Sequence, residues 1–244
     1  MERALIVFDF DGTLVDSAAQ LKNRVIPSYY EKKLPMDVCT KEIKDEITEN
    51  YGRRGKYNYG IVRNGKELTE EEQGKVVSEI MGLLGVLRSD KDNPLEFEFF
   101  DGMKELLKDI VEKYYNVCDL AVCSASEKND IEKALQENGL KNLFKTIISE
   151  QQLAIKKPDP RLLEQAIIET YGNYKKIIVV GDTSNDINLV KKFRDKHKEY
   201  DTKIIAVSYG SFQPKKYLEE CQPDIMIDSV EDLHKNLVSQ LKGF

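Results

Sequence analysis

Six short apolar runs, separated by helical patterns, place the strongest constraint on how this chain can fold. The runs lie at 4–8, 120–123, 146–148, 177–180, 204–207 and 225–227. They are rich in β-branched residues, which is typical of strands that are buried on both faces. Strands that alternate with helices predict βαβ units with right-handed crossovers. We therefore expect an α/β fold with a doubly wound, mainly parallel sheet.

Amphipathic patterns fill the intervals between most of these runs. In 103–115 the apolar side chains recur at helical spacing, which puts them on one face of a helix. Similar patterns begin near Glu127, Arg161, Asp186 and Val230. These segments are expected to be the helices that connect the strands and cover the sheet.

The segment 17–94 breaks this rhythm. It contains no convincing buried strand, and its pattern predicts helices with polar connections, one of them starting at a capping box formed by Thr69 and Glu72. We predict a helical insertion at 17–94 in an α/β core formed by 1–16 and 95–244. Its basic loop, Gly52 to Lys56, could bind a substrate anion, but we favour an ordinary solvated loop.

Composition argues against several classes of partner and of structural site. The net charge of −6 argues against broad nucleic-acid binding, which needs clustered Lys and Arg. No apolar run approaches the roughly 20 residues of a membrane helix, and the first run does not resemble a secretory signal. The four cysteines form no CxxC pair and predict neither a zinc site nor a disulfide framework. We expect a soluble, cytoplasmic protein.

Polar side chains follow three of the apolar runs. Asp9 and Asp11 come directly after the first run, Ser124 after the second, and Asp182 and Asp186 after the run at 177–180. Ligands of open α/β sheets bind beyond the carboxyl ends of the strands. Each motif alone is better explained as a turn or a helix cap, but their joint occurrence favours one site at this edge.

Several carboxylates at one edge would repel each other unless a cation compensates them. Oxygen ligands without His or Cys favour a hard ion, with Mg²⁺ as the first choice. Mg²⁺ held by carboxylates beside an anionic substrate is a recurring arrangement for phosphoryl transfer. Lys157, which precedes a proline, could place an ammonium group at the same edge, although this motif is weak by itself.

Four motifs in this order resemble the haloacid dehalogenase superfamily of hydrolases, in its phosphoglycolate-phosphatase-like branch with a helical cap. The motifs are the stretch from Asp9 to Ser17, the strand ending in Ser124, the stretch from Lys157 to Pro160, and the stretch from Gly181 to Asp186. The stretch from Val207 to Gly210 is also similar to a strand end of that branch. The resemblance implies a Rossmann-like core, with the cap at 17–94.

The resemblance also implies roles for individual residues. Asp9 would be the nucleophile that forms an aspartyl-phosphate, and Asp11 the general acid and base. Mg²⁺ would be held by the Asp9 carboxylate, the Asp11 backbone carbonyl and Asp182, with Asp186 close by or acting through water. The phosphoryl oxygens would be bound by Ser124, Lys157 and backbone N–H groups near Gly12. Ser126 could share the role of Ser124.

The sequence thus predicts a Mg²⁺-dependent phosphoric monoester hydrolase that acts on a small phosphorylated metabolite. The acid at Asp11 favours a phosphate ester over a halide or phosphonate substrate. Phosphoglycolate, sugar phosphates, nucleotides and pyrophosphate all remain possible substrates. Two alternatives stay open: a phosphomutase that uses the same aspartyl-phosphate, and a non-catalytic interaction module. No nucleic-acid or membrane partner is expected, and the sequence indicates no particular oligomeric state.

Overall fold

The computed structural model describes the predicted core and isolated parts of the predicted insertion. The described residues are 2–20, 25, 62–63, 66–67, 69, 71, 82–83, 86–87, 96–211, 213 and 215–242. Most of the segment 17–94, including the basic loop from Gly52 to Lys56 and Glu72 of the expected capping box, lies outside them.

Each of the six apolar runs lies within a strand of one parallel sheet, which confirms the predicted α/β class. The sheet has the strand order β5-β4-β1-β6-β7-β8, and every neighbouring pair is parallel. The strands of the described chain are β1 (Arg3–Phe8), β2 (Val62–Arg63), β3 (Lys66–Glu67), β4 (Cys118–Ser124), β5 (Phe144–Ser149), β6 (Tyr174–Gly181), β7 (Asp201–Val207) and β8 (Ile225–Ile227).

Helices connect the strands of the sheet as the amphipathic patterns predict. They are α1 (Ser17–Gln20), α2 (Met103–Tyr114), α3 (Lys128–Glu137), α4 (Glu150–Leu153), α5 (Arg161–Thr170), α6 (Ser184–Lys196), α7 (Lys215–Glu220) and α8 (Val230–Leu241), with a 3-10 turn at Lys141–Leu143. Within the described ranges, none of the helices has the length and apolar character needed to cross a membrane.

The sheet lies between two layers of helices. Because side chains of a strand alternate between its faces, Ile6 and Phe8 of β1 pack in one core, whereas Leu5 and Val7 pack in the other. The first core includes buried side chains of α2, α3 and α8, and the second includes those of α5, α6 and α7. Both faces of the central strand β1 are therefore buried, which is why its sequence is a continuous apolar run.

The strand order brings three strand ends together. β1 is paired with β4 on one side and β6 on the other, so that Phe8 lies in register with both Val122 and Val180. From β1, the chain adds β4 and then β5 on one side of the sheet, and β6, β7 and β8 in turn on the other side. This is a topological switch point, where an open α/β sheet forms a crevice beyond the carboxyl ends of its strands.

A short antiparallel hairpin interrupts the segment that was expected to contain helices with polar connections. β2 pairs with β3, so that Val62 is opposite Glu67 and Arg63 is opposite Lys66. In the sequence, Asn64 and Gly65 stand between the two strands, and this dipeptide strongly favours a two-residue hairpin turn.

Helix α5 offers a matched test of the packing on one face of the sheet. Leu162 is fully buried against the sheet, whereas Ile168 is 60% exposed. Leu162→Ala is expected to lower the free energy of unfolding by about 2–5 kcal/mol, because it leaves a cavity in the core. Ile168→Ala is expected to change it by less than about 0.5 kcal/mol. Urea denaturation would measure both, and equal losses would contradict this layer arrangement.

Candidate active site

The chain makes a tight turn directly after β1. The Asp9 N–H donates a hydrogen bond to the Val180 carbonyl (2.8 Å), which extends the pairing with β6 by one residue. The N–H groups of Leu14 and Val15 then both donate to the Phe10 carbonyl, at 2.9 and 3.1 Å. This turn fixes the direction in which the Asp9 side chain leaves the sheet.

Gly12 is required in this turn for both conformation and space. Its φ of +77° lies in the left-handed region, which favours glycine. A Cβ atom on Gly12 would lie 2.4 Å from Asp182 Oδ2 and 2.9 Å from the Gly210 carbonyl oxygen. The Gly12 N–H donates a hydrogen bond to the Val15 carbonyl within the turn (2.9 Å).

Three buried carboxylates meet beside this turn. Asp9, Asp182 and Asp186 each offer a carboxylate oxygen, and these oxygens lie within 4.8 Å of one another. The Lys157 Nζ atom lies 2.8 Å from Asp9 Oδ1 and 2.7 Å from Asp186 Oδ1. Lys157 comes from the loop between α4 and α5, so residues from three separate parts of the chain converge here.

Asp186 has a structural role in addition to its place in this group. Thr183 is the N-cap of α6, and the two residues form a reciprocal capping box in which the Thr183 N–H donates to Asp186 Oδ2 at 3.1 Å. A Cβ atom on Gly181 would lie 2.4 Å from Asp186 Cγ, so glycine is needed there. Asp186 therefore caps α6 and also contacts the Lys157 ammonium.

The Asp182 carboxylate is held only weakly by the described side chains around it. Its Oδ1 atom accepts a long hydrogen bond of 3.5 Å from the Thr13 hydroxyl. Its Oδ2 atom is buried and has no hydrogen-bond partner among the described residues. Leaving a buried carboxylate oxygen without a partner is unfavourable. An unsatisfied oxygen in a site of oxygen donors fits a hard divalent cation.

The electrostatics of the group indicate the same need for a cation. Burial raises the pKa of Asp9 to about 7, with a contribution from the Asp186 charge that Lys157 partly opposes. Burial, together with the charges of Asp9 and Asp186, raises the pKa of Asp182 well above its usual range. Without a further positive charge, these carboxylates resist being ionised together.

The Lys157 ammonium is held in its charged form. Burial alone would lower its pKa, but the neighbouring Asp186 and Asp9 carboxylates outweigh burial and raise the pKa well above the usual value. The Lys157 N–H also donates to Glu150 Oε1 (3.1 Å), which anchors the backbone of this residue. A fixed positive charge beside Asp9 is suited to binding an anionic group there.

The Asp11 side chain lies outside the group of three carboxylates. Its two oxygens accept hydrogen bonds from the hydroxyl groups of Ser17, at the start of α1, and Ser126, in the loop after β4. The resemblance assigns the Asp11 backbone carbonyl, not its side chain, to the metal. The carboxylate is thus held separately, at the edge of the site.

Ser124 and Ser126, which the sequence left as alternatives for one role, have different partners. Ser124 is buried at the end of β4, and its hydroxyl oxygen accepts a hydrogen bond from the Ser126 N–H (3.1 Å). The Ser126 hydroxyl donates to Asp11 instead. Ser124 therefore lies at the strand end adjacent to Asp9, and Ser126 lies on the side of Asp11.

Sequence reasoning missed several polar contacts around the site. Glu150, Ser211 and Gln213 were not singled out, although Ser211 bonds the Asp182 carbonyl and Gln213 bonds Ser184. The hydroxyl of Tyr209, from a stretch noted only for its resemblance, bonds the Thr13 carbonyl. No short-range spacing pattern would have revealed these contacts, because their partners lie far apart in the chain.

Comparisons with known proteins identify the family. The family model described as haloacid dehalogenase-like hydrolase matches residues 6–194. A phosphoglycolate phosphatase of Mesorhizobium japonicum is 26% identical over 243 residues, covering 99% of this chain and 97% of that protein. The pyrophosphatase PpaX of Listeria monocytogenes is 27% identical over 228 residues, covering 93% of each.

Solved structures share the fold over nearly the whole chain. The crystal structure of a predicted phosphoglycolate phosphatase from Haemophilus somnus has a TM-score of 0.69 at 22% identity, covering 97% of this chain and 99% of that one. At this identity the likeness concerns the fold. The relatives and the family match confirm the predicted superfamily, its phosphoglycolate-phosphatase-like branch and the enzyme class. The chain belongs to the haloacid dehalogenase-like hydrolases.

Proposed function

We propose that this protein is a Mg²⁺-dependent phosphatase that hydrolyses a small phosphorylated metabolite through an aspartyl-phosphate on Asp9. The observation that carries the proposal is the buried group of Asp9, Asp182 and Asp186, with the Lys157 ammonium 2.8 Å from Asp9. The names of the relatives support phosphatase chemistry and make phosphoglycolate and pyrophosphate the first substrates to test. The cytoplasmic location expected from the sequence belongs to the same proposal.

The metal would be held by the carboxylates of Asp9 and Asp182 and the backbone carbonyl of Asp11, with Asp186 close by or acting through water. The unsatisfied Asp182 Oδ2 atom and the raised pKa values support this assignment. When bound, Mg²⁺ supplies positive charge that offsets the charge on the carboxylates and on the transferring phosphoryl group.

In the first step of the proposed reaction, an Asp9 carboxylate oxygen attacks the phosphorus atom in line with the leaving oxygen. The new O–P bond forms as the bond to the leaving group breaks, and Asp11 gives its proton to the leaving oxygen. Lys157 and Ser124 would bind the phosphoryl oxygens. In the second step, water attacks the phosphorus, Asp11 takes a proton from it, and the bond to Asp9 breaks to release phosphate.

We also propose that 17–94 forms a cap over this site. The chain leaves the core and returns to it at adjacent points. The Asp16 N–H donates to the Glu98 carbonyl (2.8 Å), and the Phe100 N–H donates to the Leu14 carbonyl (3.2 Å). The Gln20 amide also bonds the Glu96 carbonyl. These paired connections lie next to the Asp9 turn, which is where an insertion would need to start in order to cover the crevice.

Loss of the proposed nucleophile should abolish turnover. Asp9→Asn is expected to lower kcat on p-nitrophenyl phosphate by at least about 10³-fold, because the amide oxygen is a poor nucleophile for phosphorus. EDTA should abolish wild-type activity, and Mg²⁺ should restore it. Phosphate release measured by a colorimetric assay tests both expectations.

The matched control is Asp195→Asn, because the Asp195 side chain is 84% exposed on α6. It should retain wild-type turnover. Wild-type activity in the Asp9→Asn variant would end the aspartyl-phosphate mechanism. Interconversion of sugar phosphate isomers without net phosphate release would instead favour the phosphomutase alternative.

The proposed proton transfers predict a distinctive kinetic phase for Asp11→Asn. p-Nitrophenol leaves without needing a proton, so the first step should continue, whereas attack by water loses its general base. We expect a burst approaching one equivalent of p-nitrophenol, followed by turnover that is slower by about 10²–10⁴-fold. Rapid-mixing absorbance would measure this. Steady turnover at the wild-type rate, with no burst, would show that Asp11 does not serve the second step.

Charge repulsion in the metal-free site predicts a stability gain for Asp182→Asn. The pKa of Asp9 is raised from its usual value to about 7, so the folded protein keeps a proton that the unfolded chain has lost. The free energy of unfolding contributed by this site therefore falls as the pH rises from about 4 to about 7. In EDTA at pH 8, Asp182→Asn should raise Tm by several degrees, since about 1 kcal/mol corresponds to 2–4 °C at this size.

The gain should shrink as the pH is lowered towards 5, because the wild-type site is then neutralised by protons. Mg²⁺ should raise the Tm of the wild type and leave that of Asp182→Asn nearly unchanged. Differential scanning fluorimetry across pH, with and without Mg²⁺, measures all of these. A lower Tm for the variant in EDTA at every pH would refute the repulsion argument.

A further inference from the structure

The loop after β7 contacts both turns of the site. Its contacts come from Tyr209, Gly210, Ser211 and Gln213, which we call the β7 strap. The strap leaves the sheet at the end of the strand next to β6 and passes along the carboxyl edge. It therefore lies beside both the Asp9 turn and the start of α6.

The first part of the strap is pressed against the Asp9 turn. The Tyr209 hydroxyl donates to the Thr13 carbonyl (3.0 Å), and its ring packs edge-on against Phe100 with centroids 4.9 Å apart. A Cβ atom on Gly210 would lie 2.4 Å from the Gly12 carbonyl oxygen. The two backbones thus approach as closely as glycine permits.

The second part of the strap holds the turn that follows β6. The Ser211 hydroxyl donates to the Asp182 carbonyl (2.5 Å) and accepts from the Gln213 N–H (3.0 Å). The buried Gln213 side chain accepts from the Ser184 N–H (2.7 Å) and donates to the Ser184 hydroxyl (3.3 Å). The backbone is therefore bonded on both sides of Thr183, at Asp182 and at Ser184.

These hydrogen bonds satisfy a backbone N–H group at the start of α6 that has no partner within the helix. The first N–H groups of a helix have no partner within the helix. The Thr183 hydroxyl accepts from the Asp186 N–H, and the Ser184 N–H is satisfied by Gln213 from across the loop. Because these groups are buried, the positions of the strap and of the helix start are tied to each other.

The Asp182 carboxylate has little else to fix its position. Its only hydrogen bond with another side chain among the described residues is the 3.5 Å contact with Thr13, and its Oδ2 atom has no partner there. Its placement therefore depends on the backbone that carries it. We propose that Ser211 and Gln213 are positioning residues for Asp182 and thereby set the affinity of the site for its divalent cation. This inference rests on the proposed function, since it takes Asp182 as a metal ligand.

The test is a Mg²⁺ titration of the full chain by isothermal calorimetry, with the Mg²⁺-induced change in Tm as a second readout. Ser211→Ala and Gln213→Leu are each expected to raise the Kd for Mg²⁺ by about tenfold or more, as removal of outer partners of a metal ligand does. Ser211→Thr keeps the hydroxyl and should return the Kd towards the wild-type value.

Ser208→Ala is the matched control from the same loop. The Ser208 hydroxyl donates to Asp228 Oδ1 (2.5 Å), away from both turns, so its loss should leave the Kd unchanged. A purely structural strap would give a lower Tm in EDTA for Ser211→Ala with a wild-type Kd, and that result would overturn the inference. If Gln213→Leu does not fold, Ser211→Ala decides alone, because it removes a single hydroxyl.

Failure of this inference is distinguishable from failure of the proposed function. If the wild type binds Mg²⁺, Asp182→Asn does not, and the two strap variants bind as tightly as the wild type, the proposed function stands and the positioning role is wrong. If the wild type itself binds no Mg²⁺, both are wrong.

Discussion

The buried contact of Lys157 with two carboxylates is the interaction on which the rest of this structure depends. One ammonium group lies between Asp9 and Asp186, and a third carboxylate, Asp182, is close to both. A single positive charge cannot neutralise three carboxylates that are buried from solvent. Negative charge therefore remains in excess at this edge of the sheet. The raised pKa values of Asp9 and Asp182 are a consequence of it. Groups with raised pKa values of this kind cluster at functional sites, and the proposed divalent cation would offset the excess negative charge here.

The group of three carboxylates and Lys157 is positioned by ordinary local structure. Asp186 completes the capping box of α6 and also faces the ammonium group. Gly12 and Gly181 are small because a carboxylate occupies the space beside each of them. The apolar strands, buried on both faces, bring the turns together at one height. The site thus requires no special element, because it is built from helix starts and strand ends that the α/β fold forms in any case.

The parts of this structure that the sequence predicts are those whose cause is local. An apolar run followed directly by an acid, as at Asp9 and Asp182, shows both the strand and the group at its end. Lys157 carried a weak local indication, and the resemblance to a family strengthened it. By contrast, the bond between Gln213 and Ser184 joins common polar residues from two distant loops, so nothing in either segment distinguishes it. The β2–β3 hairpin differs in another way: its two strands form no apolar run, and its indication in the sequence is the turn dipeptide between them.

The pairing of β1 with β6 has a consequence for the order in which the chain is synthesised and folds. Phe8 is in register with Val180, so β1 is completed by a strand that is synthesised much later than β1 itself. Until that later strand has emerged, Asp9 has neither Asp182 beside it nor a second strand edge to hold its turn. Contacts between such distant segments form slowly, and domains of this kind assemble largely as units. A nascent chain that ends before β6 thus carries Asp9, the proposed nucleophile, but not Asp182 or Asp186. The proposed active site is therefore complete only when most of the core has been synthesised.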